Sequence, residues 1–137
     1  MRSAVFAVIT CVMVTAAAAQ ERWAAQVPYT GGSGPVAFAD TKDEATRRAL
    51  SACRKRHDTC ASSPASVLVS DFSLFVTTCC RIKGDDRCHI QATPKGGDEG
   101  RRDAYRASIE AFEANGLPTG ECWRESVYSV RTGDRLD

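Results

Sequence analysis

The chain has 137 residues, a formal net charge of +1 and 26% charged residues. That length sets one domain. The near-zero charge excludes generic nucleic-acid binding, which needs an excess of positive charge over the phosphates.

Residues 1 to 19 have the layout of a signal peptide. Arg2 supplies the positive end, Ala4 to Val14 the apolar run, and Ala17-Ala18-Ala19 a small-residue cleavage site before Gln20. The run is too short to span about 30 Å of hydrocarbon as a helix. No second apolar segment follows, so no membrane span is expected in the mature chain, residues 20–137. Cys11 lies inside the apolar run and is not read as a lipid attachment site. Removing Arg2 leaves basic and acidic residues equal in number. A periplasmic or secreted life follows.

Trp23 to Tyr29 is strand-like, Gly31-Gly32-Ser33-Gly34-Pro35 is a turn cluster, and Val36 to Ala39 is a second strand. The glycine cluster is not a phosphate loop, because the Lys-Ser/Thr element that holds phosphate and Mg²⁺ is missing. Asp43 to Cys60 opens as an amphipathic helix. Thr41 is its N-cap, and Glu44 stands where a capping box wants an acid. Ala45, Ala49, Ala52 and Cys53 share one face, with Arg47, Arg48, Arg54 and Lys55 mostly off it. His57 then reads as a solvated cation at the helix end.

Ser62-Ser63-Pro64 is a loop. Val67 to Thr78 is rich in β-branched and aromatic residues and is expected to form a hairpin broken near Asp71 to Ser73. Cys88 to Thr93 is a strand, and Pro94 to Gly100 a mobile loop. A second helix runs from Asp103 to Phe112, stopped by Asn115-Gly116. A last strand runs from Cys122 to about Val130, and Arg131 to Asp137 is a frayed polar tail.

The two helices superpose at one constant offset: Glu44 on Asp103, Ala45 on Ala104, Arg47 on Arg106, Ala49 on Ser108. Ser66-Val67 then falls near Ser126-Val127 with one extra residue. Similarity at a fixed period is the sign of internal duplication, with pseudo-repeats at about residues 22–72 and 73–131. The fold class is α+β: strand, strand, helix, strand, twice over, with two helices on one face of a mainly antiparallel sheet.

Cys53, Cys60, Cys79, Cys80, Cys88 and Cys122 form an even set in a small exported domain, which reads as a disulfide framework. Cys53 and Cys60 are close enough to join across the helix end. Cys79 and Cys80 are adjacent on a strand and point to opposite faces, so they take different partners. Cys88 reaches one across the turn at Gly84-Asp85-Asp86, and Cys122 takes the other.

Trp23-Ala24-Ala25, Gly31 to Gly34, Phe38-Ala39, the segment Glu44-Ala45 through Ala49-Leu50 to Cys53, then Cys60 and Val67 to Val69, together resemble a family of small exported bacterial domains of unknown function. Its members carry a Trp-x-Ala strand, a Gly-rich turn and an E-A-x-x-x-A-L-x-x-C helix, often in tandem. The resemblance covers residues 22 to 70 and is poor beyond. It implies a fold and an exported life, and no activity.

Catalytic constellations are missing. Cys88-His89 would need a free thiolate, which an oxidising compartment removes. Cys79, Cys80, Cys88 and His89 lack C-x₂₋₄-C zinc spacing, and no G-x-S-x-G elbow occurs. The carboxylate pairs Asp43-Glu44, Asp85-Asp86 and Asp98-Glu99 lie in turns or helix starts. No catalytic residue, metal or cofactor is assigned. Trp23, Arg47, Arg106 and Trp123 form the candidate binding face, since Trp and Arg are the usual anchors of interfaces.

The expected function is an exported, non-enzymatic binding or structural module of the bacterial envelope, monomeric, with a protein or glycan partner. The competing class is a small secreted hydrolase, or an inhibitor of an envelope hydrolase. Protein isolated from its native host should begin at or near Gln20 on N-terminal sequencing; an intact Met1 in a soluble cytoplasmic fraction would overturn the export reading.

Overall fold

The structure, a computed structural model, describes residues 20–30 and 32–137. The expected signal segment lies outside the described residues, as does Gly31. Six strands and two helices follow one another as β1 (Trp23–Tyr29), β2 (Gly32–Ala39), α1 (Lys42–Arg54), β3 (Ala65–Leu68), β4 (Leu74–Ile82), β5 (Asp85–Thr93), α2 (Gly97–Ala114) and β6 (Cys122–Ser129). The α+β class and the antiparallel pairing stand.

The strands divide into two three-stranded sheets, ordered β2-β1-β3 and β5-β4-β6. Each is the same ββαβ unit, with its first strand in the centre. Successive residues of both central strands are buried on both sides: Ala24 to Val27 in β1, Leu74 to Cys80 in β4. A strand buried on both faces needs two covers. On one side of β1, Ala25 and Val27 pack with Ala45, Ala49 and Cys53 of α1. On the other, Ala24 and Phe38 meet Phe75 and Tyr128 of the second sheet. On the far side of β4, Leu74 and Val76 pack with Ala104, and Cys80 and Ile82 with Phe112. The layers therefore run α1, sheet, sheet, α2. The two helices cover opposite outer faces of a sandwich rather than one common face, because the inner faces are consumed by each other.

The likeness of the two units extends to the contacts. Gln26 and Thr77 occupy equivalent places on the two central strands and hydrogen-bond each other across the sandwich, Thr77 Oγ1 donating to Gln26 Oε1 at 3.1 Å. Both residues are buried. Ala45, Ala49 and Cys53 of α1 match Ala104, Ser108 and Phe112 of α2, and all are buried. Even the exposed ion pairs correspond, Arg47 with Glu44 and Arg106 with Asp103. The pairing registers move one correspondence: Ala25 pairs Ser66, and its equivalent Val76 pairs Val127. Ser66 thus matches Val127 rather than Ser126. A one-residue slip of this kind sends a side chain to the opposite face of a sheet.

Several local expectations change. β3 and β4 are separated near residues 69–73, but they are not a hairpin: one belongs to each sheet, and the link crosses between them with Val69 N–H bonded to Arg22 and Ser73 N–H to Thr93. Gly32 to Pro35 are strand, not turn. Gly34 permits this, since a Cβ there would lie 2.9 Å from the Val27 carbonyl and against Cys53. The β4–β5 turn is Lys83-Gly84, both with positive φ, and Asp85-Asp86 already belong to β5. α2 begins at Gly97, so the expected loop ends early. Its buried Gly100 carries no Cβ because one would strike the Lys95 backbone and approach Leu74. Glycine there serves packing, not looseness. The tail is not frayed: it turns at Gly133 and returns along β6, with Leu136 N–H on Val127 and an Arg135–Asp137 ion pair. Among the described residues, no helix is long and apolar enough to cross a membrane.

Three disulfides join Cys53 to Cys60, Cys79 to Cys88 and Cys80 to Cys122. Cys79 and Cys88 face each other directly across β4 and β5, and Cys80 and Cys122 across β4 and β6. The adjacent cysteines thus tie the central strand to both neighbours. The Cys80–Cys122 bond spans 42 residues, against 7 for Cys53–Cys60. Chain entropy alone assigns the long loop about 4 kcal/mol and the short one about 2.4 kcal/mol. The double change Cys80→Ala with Cys122→Ala should therefore lower the melting temperature further than Cys53→Ala with Cys60→Ala. Equal melting temperatures would refute the loop-length argument.

Candidate functional site

The expected binding face is not assembled as one surface. Trp23 is half-buried on β1, packed against the α1 core, with Lys42 Nζ 6.0 Å from its ring centre. Arg47 sits on the outer side of α1, bonded to Glu44; its guanidinium, with that of Arg48, holds the Glu44 carboxyl below its ordinary value. Arg106 sits on α2, paired with Asp103. The two arginines stand on opposite outer layers, and both have acidic partners.

Trp123 has different surroundings. Together with Arg101, Arg102, Tyr105 and Arg124 it lines a cleft of about 370 Å³ between α2 and β6. Helical spacing builds one wall: Arg101 and Arg102 lie one turn before Tyr105 and share its side of α2. The Tyr105 hydroxyl donates to the Cys122 carbonyl at 3.3 Å, which fastens that wall to the strand. A bulge builds the other wall. Thr77 pairs Ser126 and Thr78 pairs Arg124, so Glu125 is an extra residue in β6. Bulges re-aim the side chains beside them. Glu125 accepts the Trp123 indole N–H at 2.8 Å and fixes the ring.

The electrostatics of this cleft are one-sided. No acidic side chain lines it. Among the described residues, none of its three arginines forms an ion pair. Arg101 donates to the Leu136 carbonyl at 3.3 Å, while its Nε is buried without a partner. Guanidinium groups without acidic partners favour an anionic acceptor. Its lining presents three guanidinium groups, a phenol and an indole. Sequence reasoning named Trp123 and missed the arginines. A loop over residues 94–100 and a helix opening at Asp103 leave Arg101 and Arg102 in neither element, which hides the side of α2 that they share with Tyr105.

Another hollow, of about 600 Å³, lies where the two units meet near Arg22, Phe72 and Val130. Of its two arginines, Arg22 is committed, with Nε donating to the Val130 carbonyl and the guanidinium over the Phe38 ring, while Arg131 completes the lining. Cys79, Cys80 and Cys88 are all in disulfides, so no thiolate stands beside His89 and no Cys/His zinc set converges. His57 is not simply solvated. Its ring stacks on Tyr29 with centroids 3.7 Å apart and planes 8° from parallel.

No protein-family model, no curated protein and no solved structure matches the chain.

His89 carries a stability consequence. It lies under α2, with Nδ1 3.3 Å from Ser108 Oγ and its ring edge-on to Phe112. Burial pushes its pKa below the ordinary 6.5. The unfolded chain therefore binds this proton first as pH falls. Stability should be highest above pH 6.5 and decline as pH drops from there toward the lower folded value. Glu44 and Asp103, held below their ordinary values by hydrogen bonds from arginine and lysine partners, titrate at lower pH and leave that window clear. Melting temperatures measured between about pH 5 and 8 should show this slope, and His89→Gln should flatten it. An unchanged slope in the variant would assign the effect elsewhere.

Proposed function

We infer that this protein is an exported, non-enzymatic binding module whose ligand is an acidic glycan of the cell envelope. The observation that carries the reading is the cleft of Arg101, Arg102, Tyr105, Trp123 and Arg124, cationic, aromatic and free of acidic lining. Arginine forks match carboxylate geometry. Aromatic rings offer a flat apolar face with a polar tip, suited to the C–H face of a sugar ring. A domain with near-neutral overall charge and one concentrated cationic cleft selects a local anionic feature rather than attracting polyanions at large.

Export is supported by the sequence of residues 1–19 and by three disulfides, which persist in oxidising compartments. The resemblance over residues 22–70 to small exported bacterial domains points the same way. The module acts as a monomer held to its site of action by the ligand.

The test uses a soluble polyuronate as probe. Binding followed by calorimetry and by Trp123 fluorescence, in a Trp23→Phe background, should saturate and weaken with added salt. Arg102→Glu with Arg124→Glu should weaken it by well over about tenfold, since charge reversal replaces attraction by repulsion. Both residues are exposed, so the fold survives the change. No binding, or binding indifferent to the double change, would overturn the reading. Capture of an envelope protein through the same residues, without polyuronate binding, would replace the glycan by a protein partner.

A further inference from the structure

A second hollow lies at the seam between the two units, on the side of β6 away from α2. It measures about 190 Å³. Tyr29, Ser33, Arg56 and His57 line it from the first unit, and Glu125, Ser126 and Arg135 from the second. Neither unit could form it alone. The Glu125 bulge reaches both hollows, since Trp123 and Arg124 line one and Glu125 and Ser126 the other.

Two of the charged groups here already have partners. Arg135 pairs with Asp137 and donates to the Glu125 carbonyl. The Glu125 carboxylate accepts from Trp123. Two groups stand apart. Ser126 is only 4% exposed, and its Oγ is buried without a hydrogen-bond partner. Such a group costs free energy unless something satisfies it. Arg56, among the described residues, forms no ion pair. The Tyr29–His57 stack supplies a rigid flat wall beside it.

The unmet chemistry is specific. One uncommitted guanidinium asks for a single negative charge. One buried hydroxyl asks for a hydrogen-bonding partner, such as a second hydroxyl. The volume corresponds to about six waters at roughly 30 Å³ each, the size of one sugar ring. We propose that the seam between the units, with Arg56 and Ser126 as its anchors, is a binding site for a hydroxylated monocarboxylate of monosaccharide size, such as a uronic acid. This site goes beyond the cationic cleft and stands or falls separately from it. The acid is bound either as the free sugar or as the terminal residue of a chain.

The probe is D-glucuronate, followed by backbone amide chemical shifts on the full domain, with D-glucose and acetate as controls. The expected result is saturable shifts centred on His57, Ser126 and Tyr29, with both controls at least about tenfold weaker. Arg56→Gln, an exposed change, should weaken glucuronate by about tenfold. Ser126→Ala should also weaken it while keeping or raising the melting temperature, because it deletes an unsatisfied hydroxyl. A merely structural serine would give the reverse: lower stability and unchanged binding. Arg102→Glu with Arg124→Glu should leave glucuronate binding intact, which separates this site from the cleft. An oligouronate that shifts the same amides marks chain-end binding, and one that does not marks the free acid as ligand. Absence of saturable shifts at millimolar glucuronate would overturn the proposal. So would shifts confined to Trp123 and Arg124, or acetate binding as tightly as glucuronate.

Discussion

Burial of β1 and β4 on both faces is the constraint on which the rest depends. Each central strand lies between an outer helix and the partner sheet. A three-stranded sheet with one helix leaves a whole face uncovered, and that face must find a mate. Here the mate is the other copy of the same unit. The buried Gln26–Thr77 hydrogen bond sits at the middle of that contact, joining equivalent strand positions. It satisfies two polar groups that would otherwise be stranded between apolar faces. A polar pair at such a point also resists sliding of one sheet over the other, because any slip breaks it.

The disulfides follow from the same arrangement. Adjacent residues on a strand alternate faces, so Cys79 and Cys80 look in opposite directions. Cys79 lies 3.9 Å from Ser33 of the first unit, while Cys80 packs with Phe112 of α2. Each bond therefore ties β4 to a different neighbour, one on each face of the same sheet. The first unit uses its cysteines differently, tying the end of α1 through Cys53 and Cys60 to the connection ahead of β3, where Cys60 bridges Tyr29. Phe112 stands in α2 where Cys53 stands in α1. The second unit fills that place with a ring and moves its covalent ties onto the sheet.

Both hollows of functional interest lie along β6, and the divergence of the two units explains why. The first unit's return strand, β3, has four residues. Its counterpart β6 has eight, carries the Glu125 bulge and is backed by the returning tail. That extra length and irregularity create concave surface on either side of the strand. The first unit thus serves as support, and the second carries most of the concave surface.

Local patterning in the chain was sufficient for much of this. The α1 cap at Thr41, the small-residue helix faces, the strand order and the separate partners of Cys79 and Cys80 all depend on neighbours within a few residues, and they were legible. Glycine misled the reading twice. Gly34 and Gly100 look like loop chemistry, but they are needed where backbones approach closely, and only packing reveals that. Tertiary structure alone decided that six strands make two sheets, that the helices go to opposite faces, and that Arg101, Arg102 and Arg124 meet at Trp123. The physical reason is one of range. Alternation and helical period define which residues share a face, but which face meets which is settled by burial and register between segments far apart in the chain.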